Sequence, residues 1–210
     1  MDRTALAARI DHTVLGPLTT PAAVQAAAET AAAAGMHLCV PPRTLAAVDA
    51  AFPGELVTVI GFPHGTDTTT TKAAAAAEAV GLGADIVDLV PDLGAAVAGD
   101  ADRLRADIAA VTDAVAVPVR VIAETGLLPP AAVEAVATAA VAAGAAGLKT
   151  STGYGGEGAT VPAVRQLVAH LPVKASGGIR TTDDALRLLE AGATRLGTSA
   201  GPAVLADTPE

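Results

Sequence analysis

Three lysines occur in the chain against ten arginines, and two of them, Lys149 and Lys174, interrupt apolar runs, Ala145–Leu148 and Leu171–Val173. An ammonium in an apolar strand is costly to bury. A single long stem can snorkel to a rim; two on successive segments suggest a chemical use. An amine attacks a carbonyl only when neutral, and both low dielectric and a neighbouring cation favour the neutral form. Bringing a lysine from about 10.4 to about 7 takes roughly 4–5 kcal/mol of differential destabilisation. A second ammonium close by could supply a large part of that. Arginine could supply the charge but not an exchangeable proton. The pair therefore points to carbonyl chemistry through an imine. Asp88, inside Asp85-Ile86-Val87-Asp88-Leu89-Val90, reads either as a buried counter-ion to a lysine or as a proton relay opposite the imine. Asp11 carries the same two readings, and Glu124 reads as a rim salt bridge or a substrate contact.

The elements that must position these residues alternate. Short β-branched runs (Ile10–Thr13, Leu38–Pro41, Val57–Phe62, Ile86–Val90, Val119–Glu124, Gly147–Thr150, Val173–Ala175 and Arg195–Thr198) are predicted strands. Between them Pro21–Ala34, Lys72–Leu82, Ala101–Val115, Ala131–Ala143, Val161–Leu171 and Asp183–Ala191 are predicted helices, because alanine loses no rotamer freedom on ordering. Thr20-Pro21 and Thr160-Val161-Pro162 read as helix starts, and Gly35, Gly144 and Gly192 as stops. Eight βα units imply a parallel sheet covered by helices. A closed (β/α)8 barrel is the leading fold, as one domain over residues 1–210. A doubly wound open sheet is the alternative, but Asp11-His12-Thr13 follows the first strand where a Gly-rich fingerprint would stand.

In a barrel the chemistry sits at the C-terminal strand ends, and phosphate docks beside the last two strands. Gly177-Gly178 and Gly197 fall there and would let backbone N–H groups approach an anion, with Ser199 adding a hydroxyl. Cys39 reads as a small core residue. His12, His37, His64 and His170 have no ligand spacing among themselves or with Cys39, so the sequence suggests no metal site. Lys72 reads as a solvated helical cation, and Tyr154 lies near the reactive lysine.

Composition bounds the partners. Of the 210 residues 53 are alanine and three are aromatic, so the core must be Val, Leu, Ile and closely packed Ala. A net charge of −9 argues against a general nucleic-acid or anionic-membrane surface. The lone cysteine excludes a disulfide framework. No signal-peptide core follows Met1, and the longest uncharged apolar-type stretch, Ala135–Leu148, is too short to span a membrane. A cytoplasmic protein, with a homodimer as its expected assembly, fits these features.

Several segments together resemble the deoxyribose-phosphate aldolases. They are Ile10-Asp11-His12-Thr13, Cys39-Val40-Pro41-Pro42, Gly61-Phe62-Pro63, Val87-Asp88-Leu89-Val90, Val121-Ile122-Ala123-Glu124-Thr125, Lys149-Thr150-Ser151-Thr152-Gly153, Lys174-Ala175-Ser176-Gly177-Gly178 and Leu196-Gly197-Thr198-Ser199. The resemblance runs in family order from residue 10 to about 204. It implies a barrel enzyme needing no metal or organic cofactor. Such an enzyme cleaves 2-deoxy-D-ribose 5-phosphate reversibly to acetaldehyde and D-glyceraldehyde 3-phosphate. It further implies that Lys149 forms the imine, Lys174 perturbs its pKa, and Asp88 with a water shuttles protons. Gly177, Gly178, Gly197 and Ser199 fall where the family holds phosphate, and Thr150, Asp11 and Cys39 are carried over as further substrate-binding candidates. Departures are Ala200 for a second serine, Pro41 for asparagine, Pro91-Asp92 after Val90, Arg120 for a lysine, and the absence of a tail tyrosine. Ala200 and Asp92 motivate a related class I aldolase of altered aldehyde or phosphate preference. A non-catalytic sugar-phosphate-binding barrel is the remaining alternative.

Overall fold

Threonine hydroxyls start four of the helices: Thr20, Thr68, Thr160 and Thr181 accept from the N–H groups of Ala23, Thr71, Ala163 and Asp184. The computed structural model describes residues 1–208. In chain order the elements are α1 (Arg3–Ala7), β1 (Ile10–Thr13), α2 (Pro21–Ala34), β2 (His37–Val40), a 3-10 helix (Pro42–Ala47), β3 (Leu56–Ile60), α3 (Thr69–Gly81), β4 (Ile86–Leu89), α4 (Leu93–Ala98) and α5 (Ala101–Ala114). They continue with β5 (Val119–Ile122), α6 (Pro130–Ala142), β6 (Gly147–Lys149), α7 (Val161–Leu167), β7 (Val173–Ser176), α8 (Thr182–Glu190), β8 (Arg195–Thr198) and α9 (Gly201–Val204). The strands are all parallel and close, β8 against β1, into a (β/α)8 barrel. Among the described residues no helix is long and apolar enough to cross a membrane.

Strand alternation divides the core in two. Leu38, Val40, Val87, Leu89, Val121, Leu148, Val173, Ala175 and Leu196 face the helices and join the main core. Cys39, Val57, Val59 and Ile86 form a separate inner cluster, against which Leu15 and Phe62 pack. Asp88, between Val87 and Leu89, is therefore turned inward. The barrel interior is apolar along β2–β4 and ionic along β4–β8 and β1. Register brings the ionic residues side by side, with Asp88 opposite Arg120, Lys149 opposite Lys174, and Lys174 opposite Arg195.

Two expectations are corrected. The second strand is followed by a 3-10 helix instead of an α-helix, although the same Pro-Pro start at Pro129 and Pro130 opens the α-helix α6. Helix α7 stops at Leu167 rather than Leu171: Pro172 disfavours the α region at Leu171, and the chain before it tightens as His170 N donates to Leu167 O at 3.0 Å. The short α1, α4 and α9 were not anticipated.

Alanine lets the helices lie close. Ala76 on α3 is fully buried, and α3 packs against α5. Ala76→Leu adds apolar surface yet should destabilise the protein by about 1–3 kcal/mol through overpacking, read from the chemical-denaturation midpoint.

Candidate active site

Two inward carboxylates collect the cations of the barrel. Asp88 Oδ2 lies 2.9 Å from Lys174 Nζ and 3.2 Å from Lys149 Nζ, and its Oδ1 accepts from Arg120 Nε at 2.6 Å. Asp11 Oδ2 meets Lys174 Nζ at 2.6 Å and Arg120 Nη2 at 2.9 Å. On its other side Asp11 Oδ1 accepts from the Arg195 guanidinium, whose Nη1 donates to Glu55 Oε2 at 2.7 Å. The two lysines do not diverge: they share one carboxylate oxygen. Two glycines make room for the long side chains. A Cβ at Gly197 would stand 2.7 Å from Lys174 Cε, and one at Gly147 would stand 3.3 Å from Arg120 Cγ.

Counting charges shows which group lacks a partner of its own. Asp11 and Asp88 balance Arg120 and Lys174, and Glu55 balances Arg195, so the network is neutral only when Lys149 is uncharged. Burial alone would raise both aspartates. Lys174 and Arg120 outweigh it at Asp11, as do Arg120 and Lys174 at Asp88, and both carboxyls are held well below the usual range. Lys149 is pushed down, chiefly by burial and then by the Lys174 ammonium, against the pull of Asp88. Lys174 goes the other way. Burial would lower it, but Asp11 and Asp88 together raise it. Sequence reasoning gave the neighbouring ammonium a large share in depressing Lys149; desolvation is the larger cause. Arg120, buried between both carboxylates, is held firmly charged.

The other expected residues separate into two groups. Gly177, Gly178, Gly197 and Ser199 line one cavity of about 780 Å³, together with Thr152, Tyr154 and Arg180. Gly177 and Gly178 have φ of 99° and 76°, a conformation that glycine adopts without strain. Thr150, Asp11 and Cys39 are fully buried and face neither that cavity nor the next. Thr150 donates to Ser176 O at 3.0 Å and accepts from Ser176 N, stitching β6 to β7. Cys39 lies in the inner apolar cluster, where burial raises its thiol pKa.

A second cavity of about 580 Å³ is walled by Pro41, Val59, Phe62 and Pro63, and it shares Leu15 and Tyr154 with the first. Tyr154 Oη donates to Leu15 O at 3.1 Å, and its ring meets Phe62 edge-on with centroids 5.4 Å apart. Phe62 in turn lies over Lys149, 5.6 Å from ring centroid to Nζ. Glu124 does not take the expected role of a rim salt bridge. It is buried, forms no salt bridge among the described residues, and accepts from Thr152 N at 3.1 Å while held at φ 44°. From the turn after β5 its carboxylate thus tethers the segment just beyond Lys149. Asp92 lines neither cavity, but caps α4 and pairs with Arg103. Lys72, expected in solvent, is instead buried and paired with Asp107 at 2.8 Å.

Sequence reading missed Arg120, Arg195 and Glu55 as parts of the site. Arg120 had the same signature as Lys149, a cation within an apolar strand.

A closed barrel carrying paired inward lysines, with glycine-walled space at its C-terminal rim, defines a barrel aldolase. No protein-family model matches the chain. A deoxyribose-phosphate aldolase of Halobacterium salinarum is 49% identical over 212 aligned residues, covering 100% of both chains. One from Thermus thermophilus is 49% identical over 210, covering 96% of each. The structure of a tetrameric deoxyribose phosphate aldolase from Aeropyrum pernix superposes with a TM-score of 0.88 at 29% identity, covering 97% of this chain and 90% of that one. The chain belongs to the deoxyribose-phosphate aldolase family.

The network makes stability depend on acid. Asp11 and Asp88 are more acidic folded than unfolded, so their contribution is complete well above the ordinary value of 3.8 and is lost as pH falls below it. Arg120→Met leaves two buried carboxylates short of a cation. It should cost about 3–5 kcal/mol at neutral pH and flatten the acid dependence, as measured by urea denaturation from pH 7 to pH 2.

Proposed function

We propose that the protein cleaves 2-deoxy-D-ribose 5-phosphate reversibly to acetaldehyde and D-glyceraldehyde 3-phosphate through an imine on Lys149. The observation that carries this reading is the pair of inward lysines on one Asp88 oxygen, with Lys149 driven toward its neutral form and Lys174 toward its charged form. In this mechanism Lys149 Nζ adds to C1 of the open-chain aldehyde. The carbinolamine loses water, giving a protonated imine. That cation withdraws the electrons of the C2–C3 bond as the C3 hydroxyl gives up its proton, so glyceraldehyde 3-phosphate departs and an enamine remains. Protonation at C2 and addition of water then release acetaldehyde and restore the amine. No metal or organic cofactor enters the scheme.

Asp88 and Lys174 act together as the proton relay, with a water between them and the substrate. Asp88 alone is too weak a base at neutral pH, whereas the Lys174 ammonium, 2.9 Å away, holds an exchangeable proton. Asp88 also steadies the iminium, which adds a positive charge to an otherwise neutral network. Asp11 keeps Lys174 charged. The backbone N–H groups around Gly177, Gly178 and Gly197, with the Ser199 hydroxyl, receive the phosphate, and Arg180 adds charge at the rim. Cys39 and Thr150 serve by shaping the walls behind Lys149. Because Lys149 is only 1% exposed beneath Phe62, the carbonyl reaches it when that ring shifts. Altered preference is a second reading, favoured by Ala200, which leaves Ser199 as the one hydroxyl of the pair; Asp92, away from both cavities, no longer supports it. We also place the enzyme in the cytoplasm, where its single buried thiol would stay reduced, as a self-associating chain with a homodimer as the smallest assembly.

Borohydride reduction with acetaldehyde should add an ethyl group to Lys149, mapped by peptide mass spectrometry, and the adduct should vanish in Lys149→Leu. Labelling on Lys72 instead would contradict the assignment. In the same preparation, phosphorylated deoxyribose should turn over faster than the unphosphorylated sugar. Equal rates would overturn the phosphate site and favour the second reading.

A further inference from the structure

Outside the network one ion pair is as deeply buried as anything within it. Asp107 on α5 accepts from Lys72 Nζ at 2.8 Å and from the backbone N–H of Asp92 at 2.9 Å through Oδ2, and from Thr69 Oγ1 at 2.7 Å through Oδ1. Lys72 and Thr69 stand on the first turn of α3, and Asp92 opens α4, so one carboxylate ties three elements together. A buried ion pair adds little stability over an apolar pair of equal volume. What it supplies here is direction. The pinned lysine stem runs behind Gly61: a Cβ placed there would lie 3.2 Å from Lys72 Cε and 2.9 Å from Val90 O. Gly61 is in the left-handed region at φ 65°, its carbonyl accepts from Gly65 N at 2.7 Å, and the next residue is Phe62.

We propose that Lys72 is a positioning residue for the reaction: its stem, held by Asp107, backs the Gly61–Phe62 turn and so fixes the ring that keeps water from Lys149. The inference rests on the reading of Lys149 as the imine-forming amine. Phe62 is the connecting piece, one residue from the stem's contact and directly over the reactive nitrogen. The charged and titratable groups around the two lysines do not overlap. Lys149 faces Asp88, Lys174, Cys39 and Glu124, with His64 of the Phe62 turn beyond Glu124, whereas Lys72 faces Asp107 and, farther off, Asp92. A change at Lys72 that alters the titration of Lys149 must therefore travel through the turn and the ring. Loosening the ring admits water, returns Lys149 toward its ordinary value and moves the acid limb of the rate profile to higher pH.

The test compares Lys72→Ala, which removes the stem, with Lys72→Met, which keeps an unbranched chain of similar length. Two profiles are recorded against pH: kcat/KM for deoxyribose 5-phosphate, and the rate of borohydride trapping with acetaldehyde. Lys72→Ala should lose roughly ten- to a hundredfold in kcat/KM at neutral pH, with both acid limbs displaced upward. Lys72→Met should keep the limbs at the wild-type position even though its melting temperature falls. A wild-type limb in Lys72→Ala, or an equal displacement in both variants, overturns the inference. Should Lys72→Ala fail to fold, Phe62→Ala, which removes the ring that the stem is proposed to fix, carries the comparison: its limb moves upward, and an unmoved limb overturns the inference. Failure of the wild type to trap acetaldehyde on Lys149 would instead remove the functional reading itself.

Discussion

Two carboxylates inside a barrel wall set the terms for every other group in the site. Asp11 and Asp88 bring Arg120 and Lys174 into full burial, and the four charges cancel. A fifth charge on Lys149 would have no counterpart in a region screened from water. The lowered pKa of Lys149 thus comes first from desolvation, with the Lys174 ammonium contributing and Asp88 opposing. Breaking such a network by removing one partner is far more damaging than never having had it, because the orphaned charge stays buried.

The fold pays attention to this cluster at every level. Parallel closure and its stagger set Lys149 beside Lys174 and Asp88 beside Arg120. Gly147 and Gly197 remove the side chains that would occupy the space of Arg120 and Lys174. The apolar half of the interior, Cys39, Val57, Val59 and Ile86, offers no water and no hydrogen bond to the amine. At the rim, Phe62 and Tyr154 stand between Lys149 and solvent while dividing the mouth into two cavities. In the proposed mechanism the carbonyl passes the ring that covers the amine.

Much of this was legible in the sequence. Eight short β-branched runs between alanine-rich stretches defined the barrel, and β1 and β8 fall on the expected residues. Lys149, Lys174 and Asp88 were legible because a charge inside an apolar strand stands out from its neighbours. Arg120 stood out equally but was set aside as a departure from the family pattern. Lys72 was misread for the opposite reason: in Thr69-Thr70-Thr71-Lys72 followed by alanines, the helix has no apolar stripe to mark which face is buried. The pairing of Arg195 with Glu55 joins residues far apart in the chain and depends on barrel closure, which no local pattern encodes. Short elements such as α4 and the 3-10 helix after β2 offer too few residues for any periodicity to register.

The chain's three lysines make the central claim directly measurable. Protein labelled with ¹⁵N at the lysine side-chain nitrogens can be titrated by NMR, with each resonance assigned by single substitution. The account requires the Lys149 signal to lose its proton below the ordinary lysine value of 10.5 and the Lys174 signal to keep its proton above it. A Lys149 nitrogen that titrates at or above 10.5 in the folded protein would contradict the account.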